Sequence, residues 1–187
     1  MDKRIEKILF SQEQLETRIA ELGKWVNEEY KDSKDLIIVG ILKGSIPFLA
    51  QLIKSVEVDF VMDFMTISSY EGGTKTTGSV KVVLDLANEI ENKDVLIVED
   101  IVDTGRTISK VIAMLSQRNP KSLKVLSLLD KKSGRVNNYE VDNCGFLVGN
   151  EFVVGFGFDF EEKMRNLPYI GTLKPEIIEE FLARKAK

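Results

Sequence analysis

The run Val95-Leu96-Ile97-Val98-Glu99-Asp100-Ile101-Val102-Asp103-Thr104-Gly105-Arg106-Thr107 constrains the fold more than any other part of this chain. Its apolar start has no polar alternation, so it reads as a strand buried on both faces, the signature of a parallel sheet. Helical spacing over Ile108 to Gln117 follows, so the polar turn joins a strand end to a helix start. Backbone N–H groups are unpaired at a helix start and the helix dipole favours negative charge there, so such a turn suits a phosphate. Glu99 and Asp100, just upstream, suit ribose hydroxyls or a hydrated Mg²⁺. Together these features imply a phosphorylated sugar as ligand. Asp103 and Thr104 also fit helix caps, but capping leaves three acids at one strand mouth with nothing to offset their repulsion.

Composition narrows the chemistry. The chain has 187 residues, enough for one substantial core and most simply one domain. It contains no His, which removes imidazole metal sites and the usual general base. A base must then be a carboxylate, a Lys or a Tyr, and a metal must be held by oxygen, which favours Mg²⁺ over zinc. The single Cys144 excludes an internal disulfide and a multi-Cys zinc site, and its setting between Asn143 and Gly145 reads as a buried structural thiol. The net charge of −4 gives no general attraction to nucleic acid. No apolar run reaches the ~20 residues of a membrane span. Met1 to Glu6 lacks the apolar core of a signal peptide. The expected location is cytoplasmic, with no membrane and no nucleic-acid partner.

Leu15, Ile19, Leu22 and Val26 recur at helical spacing, so Gln12 to Tyr30 reads as an amphipathic helix. Leu36 to Ile41 is a buried strand, followed by a helix over Ile46 to Val56. Further strands are expected at Val58 to Ser68, Val80 to Leu84, Val95 to Val98 and Leu123 to Leu129. Gly72 to Ser79, rich in Gly and Thr, reads as a mobile loop. Alternating strands and helices imply an α/β protein with a parallel central sheet. Ligands of such sheets sit beyond the carboxyl ends of the strands, so the acidic turn and Leu42-Lys43-Gly44-Ser45 should face one pocket. From Gly145 onward, short strands at Phe146 to Val148 and Phe152 to Val154 break the rhythm and suggest a small appended lobe. Pro175 opens a closing helix bearing Ile177, Ile178, Phe181 and Leu182. The expected arrangement is one domain, its core over roughly 30–140 and its hood formed by the N-terminal segment and 145–187.

The hydrophobic run, the Glu-Asp pair, two further hydrophobic residues, Asp-Thr-Gly and the Thr two places on resemble the phosphoribosyl-diphosphate (PRPP) signature of the type I phosphoribosyltransferases. Four further segments are similar to the bacterial-type hypoxanthine-guanine phosphoribosyltransferases, and the similarity covers nearly the whole chain. The resemblance implies the type I phosphoribosyltransferase fold, a parallel central sheet flanked by helices with a small hood lobe. It also implies that Lys43 and Gly44 lie in a loop that binds pyrophosphate through backbone amides, with a cis Leu42–Lys43 peptide. This is not a Walker A loop, which needs Gly-Lys-Ser/Thr in that order. Ser69 and Tyr70 look like the family's lid pair, and Thr104, Gly105, Arg106 and Thr107 like its grip on the 5′-phosphate. Glu99 and Asp100 match its ribose and Mg²⁺ contacts, and Lys131 matches the lysine that bonds purine O6. Within Phe152-Val153-Val154-Gly155-Phe156-Gly157-Phe158-Asp159, Phe152 resembles the residue stacked on the purine and Phe158 the opposite wall. The backbone at Val153 would read the purine's Watson–Crick edge. Asp159, at the purine site, is similar to an acid linked to a second Mg²⁺ and to the pyrophosphate, with Arg165 nearby as an anion contact. Arg106 stands where the family often has Lys, and both are cationic.

The activity implied is purine salvage. The 5-phosphoribosyl group of PRPP passes to N9 of hypoxanthine or guanine, giving IMP or GMP and pyrophosphate, with Mg²⁺ as cofactor. The family uses the acid at Asp103 to take or share the proton on purine N7, and its members are homodimers or homotetramers. One alternative is a PRPP-binding regulatory protein of the same fold, which needs a basic face that the charge balance does not favour. Another is a transferase for a different base such as xanthine, adenine or orotate. Xanthine-preferring relatives tend to carry Trp at the purine wall, whereas Trp25 lies in the N-terminal helix. A receiver-type signalling domain needs its acidic pair after the first strand and is usually shorter.

Overall fold

The computed structural model describes residues 1–69, 80–137 and 139–185. After a short strand β1 (Ile5–Phe10), helix α1 (Gln12–Glu29) starts at a capping box. The Ser11 side chain accepts from the Gln14 N–H, and the Gln14 side chain accepts from the Ser11 N–H. Its apolar stripe of Leu15, Ile19, Leu22 and Val26 is fully buried, as the spacing requires. Each such side chain contributes roughly 1.5–3 kcal/mol, enough to hold an otherwise polar helix on the sheet.

Strands β2 (Leu36–Leu42), β3 (Phe60–Ser69), β4 (Val80–Leu84), β5 (Asp94–Val102), β6 (Ser122–Asp130) and β7 (Asn143–Leu147) form one sheet in the order β4-β3-β2-β5-β6-β7. Both faces are covered, which is why β2 and β5 are apolar without alternation. On β2, Leu36 and Ile38 pack towards α1, while Ile37, Val39 and Ile41 pack towards helix α3 (Arg106–Ser116). Leu96 and Val98 on β5 face the first cluster, and Val95 and Ile97 the second.

The central sheet is parallel from β3 through β7, as expected, with β4 antiparallel to β3 at one edge. Three expectations need correction. The strand near Phe146 is not part of the hood: β7 pairs parallel with β6 and closes the other edge of the main sheet. The helix after β2 is short, α2 (Ile46–Leu52), and ends in a 3₁₀ turn at Ile53–Ser55. Cys144 is only partly buried.

The hood is a second sheet, in which β1 pairs antiparallel with β9 (Ile170–Leu173) and β9 with β8 (Val153–Val154). Helix α4 (Pro175–Lys185) closes the chain. Ile5, Val154, Phe160, Met164 and Leu173 form a small core of its own. Among the described residues, no helix is long and apolar enough to cross a membrane.

Candidate active site

The site is built at the carboxyl ends of the two central parallel strands. β2 ends at Leu42 and β5 at Val102, and they are neighbours in the sheet, so the loops that follow them meet. The Leu42–Lys43 peptide is cis. The next residue lies against β5 so closely that a Cβ on Gly44 would fall 1.6 Å from Asp100 Oδ2. Only glycine lets the loop approach the acid.

β5 continues past its apolar run, so Glu99 and Asp100 lie within the strand rather than beyond it. Both are largely shielded from solvent. Burial, reinforced by the charge of Asp100, holds the Glu99 carboxyl well above the ordinary carboxylate range. Its Oε2 is buried and has no hydrogen-bond partner among the described residues. Burial also raises Asp100, to about 6, against the opposing pull of the Ile101 N–H and the Arg165 charge. That N–H donates to Asp100 Oδ1 at 2.7 Å. Two acids held so unfavourably mark a functional site.

The turn after β5 leads into α3 through Gly105, whose φ of 77° is a left-handed conformation that glycine adopts without penalty. The N-cap, Gly105, has no side chain to offer, Thr104 Oγ1 accepts only the Arg106 N–H, at a long 3.4 Å, and the first turn of the helix holds no acid. Its positive end is therefore open to an anion. Thr104, Arg106 and Thr107 are exposed around it. The turn is braced from behind by Asn137, whose Nδ2 donates to the Gly105 carbonyl at 3.3 Å and to Ser109 Oγ at 2.8 Å. A cleft of about 140 Å³ lies here, lined by Glu99, Asp103, Thr104, Gly105 and Thr107.

A larger cavity of about 680 Å³ opens beside it. Asp103 and Lys131 line one end, with Lys131 Nζ 3.5 Å from Asp103 Oδ2. Phe152, Val153 and Phe158 form the walls. Phe152 is half exposed, whereas Val153 and Phe158 are buried in place by the sheet and the core. The Phe152 ring meets Phe160 edge to face at 6.1 Å, and Phe160 meets Phe181 of α4 at 5.0 Å. Asp159 also lines the cavity and pairs with Arg165 at 2.8 Å. Arg165 Nη1 donates to the Gly157 carbonyl at 2.7 Å. Asp103 lines both spaces, so the anion cleft and the larger, mostly apolar cavity meet at one carboxylate.

The structure thus brings together the predicted residues of the acidic turn, Lys131 and the Phe152–Asp159 segment. Lys43 lines neither space and pairs with Glu162 at 2.8 Å. Tyr70 and the Ser69 side chain, the expected lid pair, lie outside the described residues. Glu99, Asp100 and Asp159 do not form a metal cage: among the described residues no three His, Cys, Asp or Glu side chains converge on one ion position. Sequence reasoning missed the wall formed by Ile178, Phe181 and Leu182 of α4. The apolar face of that helix was legible, but not its target. Trp25 packs against the main core, away from the cavity.

Comparison with known proteins gives the lineage. The phosphoribosyl transferase domain model matches residues 7–161. The hypoxanthine-guanine phosphoribosyltransferase of Lactococcus lactis is 49% identical over 177 residues, covering 95% of this chain and 96% of that protein. This chain belongs to the hypoxanthine-guanine phosphoribosyltransferases. Solved members superpose closely. The Staphylococcus aureus hypoxanthine phosphoribosyltransferase matches with a TM-score of 0.89 at 44% identity, covering 93% of this chain and 94% of that one. The Trypanosoma cruzi enzyme in complex with its product IMP matches with a TM-score of 0.89 at 38% identity, covering 95% and 98%. The family's fold is therefore the fold of this chain.

Proposed function

We propose that the protein transfers the 5-phosphoribosyl group of PRPP to N9 of hypoxanthine or guanine, releasing pyrophosphate and forming IMP or GMP. The observation that carries this reading is Asp103, shared between an anion cleft at a helix N-terminus and a cavity walled by aromatic rings. In this reading the purine lies between Phe152 and Phe158, with Lys131 at O6 and the Val153 backbone at its edge. Thr104 to Thr107 hold the 5′-phosphate, and the Lys43–Gly44 loop and Arg165 hold pyrophosphate. Asp103 then faces the purine and takes or shares its N7 proton, a role open to a carboxylate in a chain without His. The ribosyl group becomes cationic as pyrophosphate departs, and the acids at Glu99 and Asp100 lie beneath it.

The residues fit Mg²⁺ in the way phosphate-bound Mg²⁺ is usually held, by one or two carboxylates with waters and substrate oxygens rather than a protein cage. The unpartnered Glu99 Oε2 supports this, since a ribose hydroxyl or a metal-bound water would satisfy it. Asp100 and Asp159 are the further candidate ligands. Bound with PRPP, the ion would neutralise charge on the leaving pyrophosphate. A homodimer or homotetramer and a cytoplasmic location complete the proposal. Val61, Met62, Val83 and Leu84 offer exposed apolar surface for assembly.

A panel of hypoxanthine, guanine, xanthine, adenine and orotate with PRPP and Mg²⁺, scored by nucleotide formation, tests the reading. Product is expected with hypoxanthine or guanine. Product only with another base would overturn the substrate assignment.

A further inference from the structure

Between the hood core and the pyrophosphate end of the site, the turn Phe160 to Arg165 has an unusual backbone. Glu161, Glu162 and Met164 all have positive φ, at 51°, 60° and 72°, in a span with no glycine. Side chains other than glycine resist this region, and such backbones persist where their surroundings fix them, commonly at functional sites. Phe160 and Lys163 exchange both backbone hydrogen bonds at 3.0 Å. Phe160 and Met164 are buried in the hood core, and the Glu162 N–H donates to Asp159 Oδ2 at 2.9 Å. Held this way, the turn carries Glu162 to a core loop remote in sequence. Glu162 Oε2 lies 2.8 Å from Lys43 Nζ, and Oε1 lies 3.3 Å from Arg165 Nη2. One carboxylate spans a cation of the pyrophosphate loop and the cation assigned as its anion contact.

We infer that Glu162 is a positioning residue that stands in for pyrophosphate, its carboxylate bridging Lys43 and Arg165 until the ligand displaces it. This inference rests on the pyrophosphate assignment of that loop and of Arg165. Lys43 and Glu162 are 63% and 65% exposed, so their pairing is weak and easily exchanged. A polyanion outcompetes a single carboxylate for the same two cations. Glu162 keeps both cations aimed while the site is empty, and re-forms its pairs as pyrophosphate leaves. The second effect weakens product binding and speeds its release. Arg165 stays anchored throughout by Asp159 and the Gly157 carbonyl, so only the longer contact of Nη2 with Glu162 changes partner.

Glu162→Gln keeps the side chain's size and removes its charge. Titration calorimetry with Mg²⁺-pyrophosphate should show about two- to tenfold tighter binding than wild type, the range expected for losing two exposed ion pairs. Stopped-flow release of pyrophosphate should slow correspondingly, while KM for the purine stays constant. Glu28→Gln removes the same charge from the end of α1, where Glu28 pairs only with Lys31 among the described contacts, and should behave as wild type. Unchanged or weaker pyrophosphate binding in Glu162→Gln would overturn the inference, and so would equal tightening in Glu28→Gln. The two assignments fail separately. Unaltered pyrophosphate affinity in Arg165→Gln would remove the site assignment itself, whereas a loss there without a gain in Glu162→Gln removes only the role of Glu162.

Discussion

Asp100→Asn should stabilise the ligand-free protein while disabling it. Burial holds the Asp100 carboxyl near 6 instead of 3.8, so in the folded chain the charged form is disfavoured. The interval corresponds to roughly 3 kcal/mol at pH values where the acid is ionised in both states. Solvent reaches part of the side chain, and screening lowers the expected penalty to about 1–2 kcal/mol. Because the folded value is raised, the unfolded chain ionises first as pH rises. The penalty is therefore absent below about 3.8, grows between 3.8 and 6, and is complete above 6. Asparagine is neutral throughout, keeps the acceptor used by the Ile101 N–H, and fits the same space beside Gly44. At about 2–4 °C per kcal/mol for a chain of this size, Tm should rise by about 2–8 °C at pH 8. The rise should shrink towards zero at pH 4. Thermal unfolding in EDTA without PRPP measures both, and calorimetry with PRPP and Mg²⁺ should show at least a tenfold loss of affinity. No gain at pH 8, or an equal gain at pH 4, would refute burial of this charge as the cause.

Asp103→Asn should lower kcat by about 10²-fold, the low end of general-base losses, with the Kd for PRPP-Mg²⁺ nearly unchanged. Wild-type turnover would reduce Asp103 to a support for the phosphate turn. Gly44→Ala places a methyl group 1.6 Å from Asp100 Oδ2, so the loop or the Asp100 carboxylate must shift. PRPP affinity should fall at least tenfold by calorimetry, while KM for the purine moves little. Phe152→Leu removes an aromatic face worth about 0.5–1.5 kcal/mol, so KM for the purine should rise about two- to tenfold. Its KM for PRPP should stay at the wild-type value.

Local chemistry was the legible part of this chain. The strand, acidic turn and helix over Val95 to Gln117 are contiguous, so period, charge and turn residues all describe the same object. What escaped depended on distant pairing. β1 meets β9 across most of the chain, and bulges between Ile5 and Lys7 and between Ile8 and Phe10 break the alternation that would have revealed it. β7 is short and contains Gly145, so it read as a strand of the appended lobe, yet β6 recruits it to the main sheet. The Asp142 carboxylate accepts the Val125 N–H at 2.8 Å beside its start. The site showed the same division. Asp103 and Thr104 to Thr107 lie on one turn and were visible together, as was the Phe152–Asp159 segment. The positive-φ turn at Glu161 to Met164 has no glycine to announce it, and the pairing of Glu162 with Lys43 spans 119 residues.

The central claim is that one site joins a purine to the ribosyl carbon from which pyrophosphate departs. The most direct measurement follows both products when PRPP and Mg²⁺ are mixed with enzyme, with and without hypoxanthine. Pyrophosphate should appear only when the base is present, and in a 1:1 ratio to IMP. Pyrophosphate released at the same rate without a base, or base-dependent release with no IMP, would contradict it.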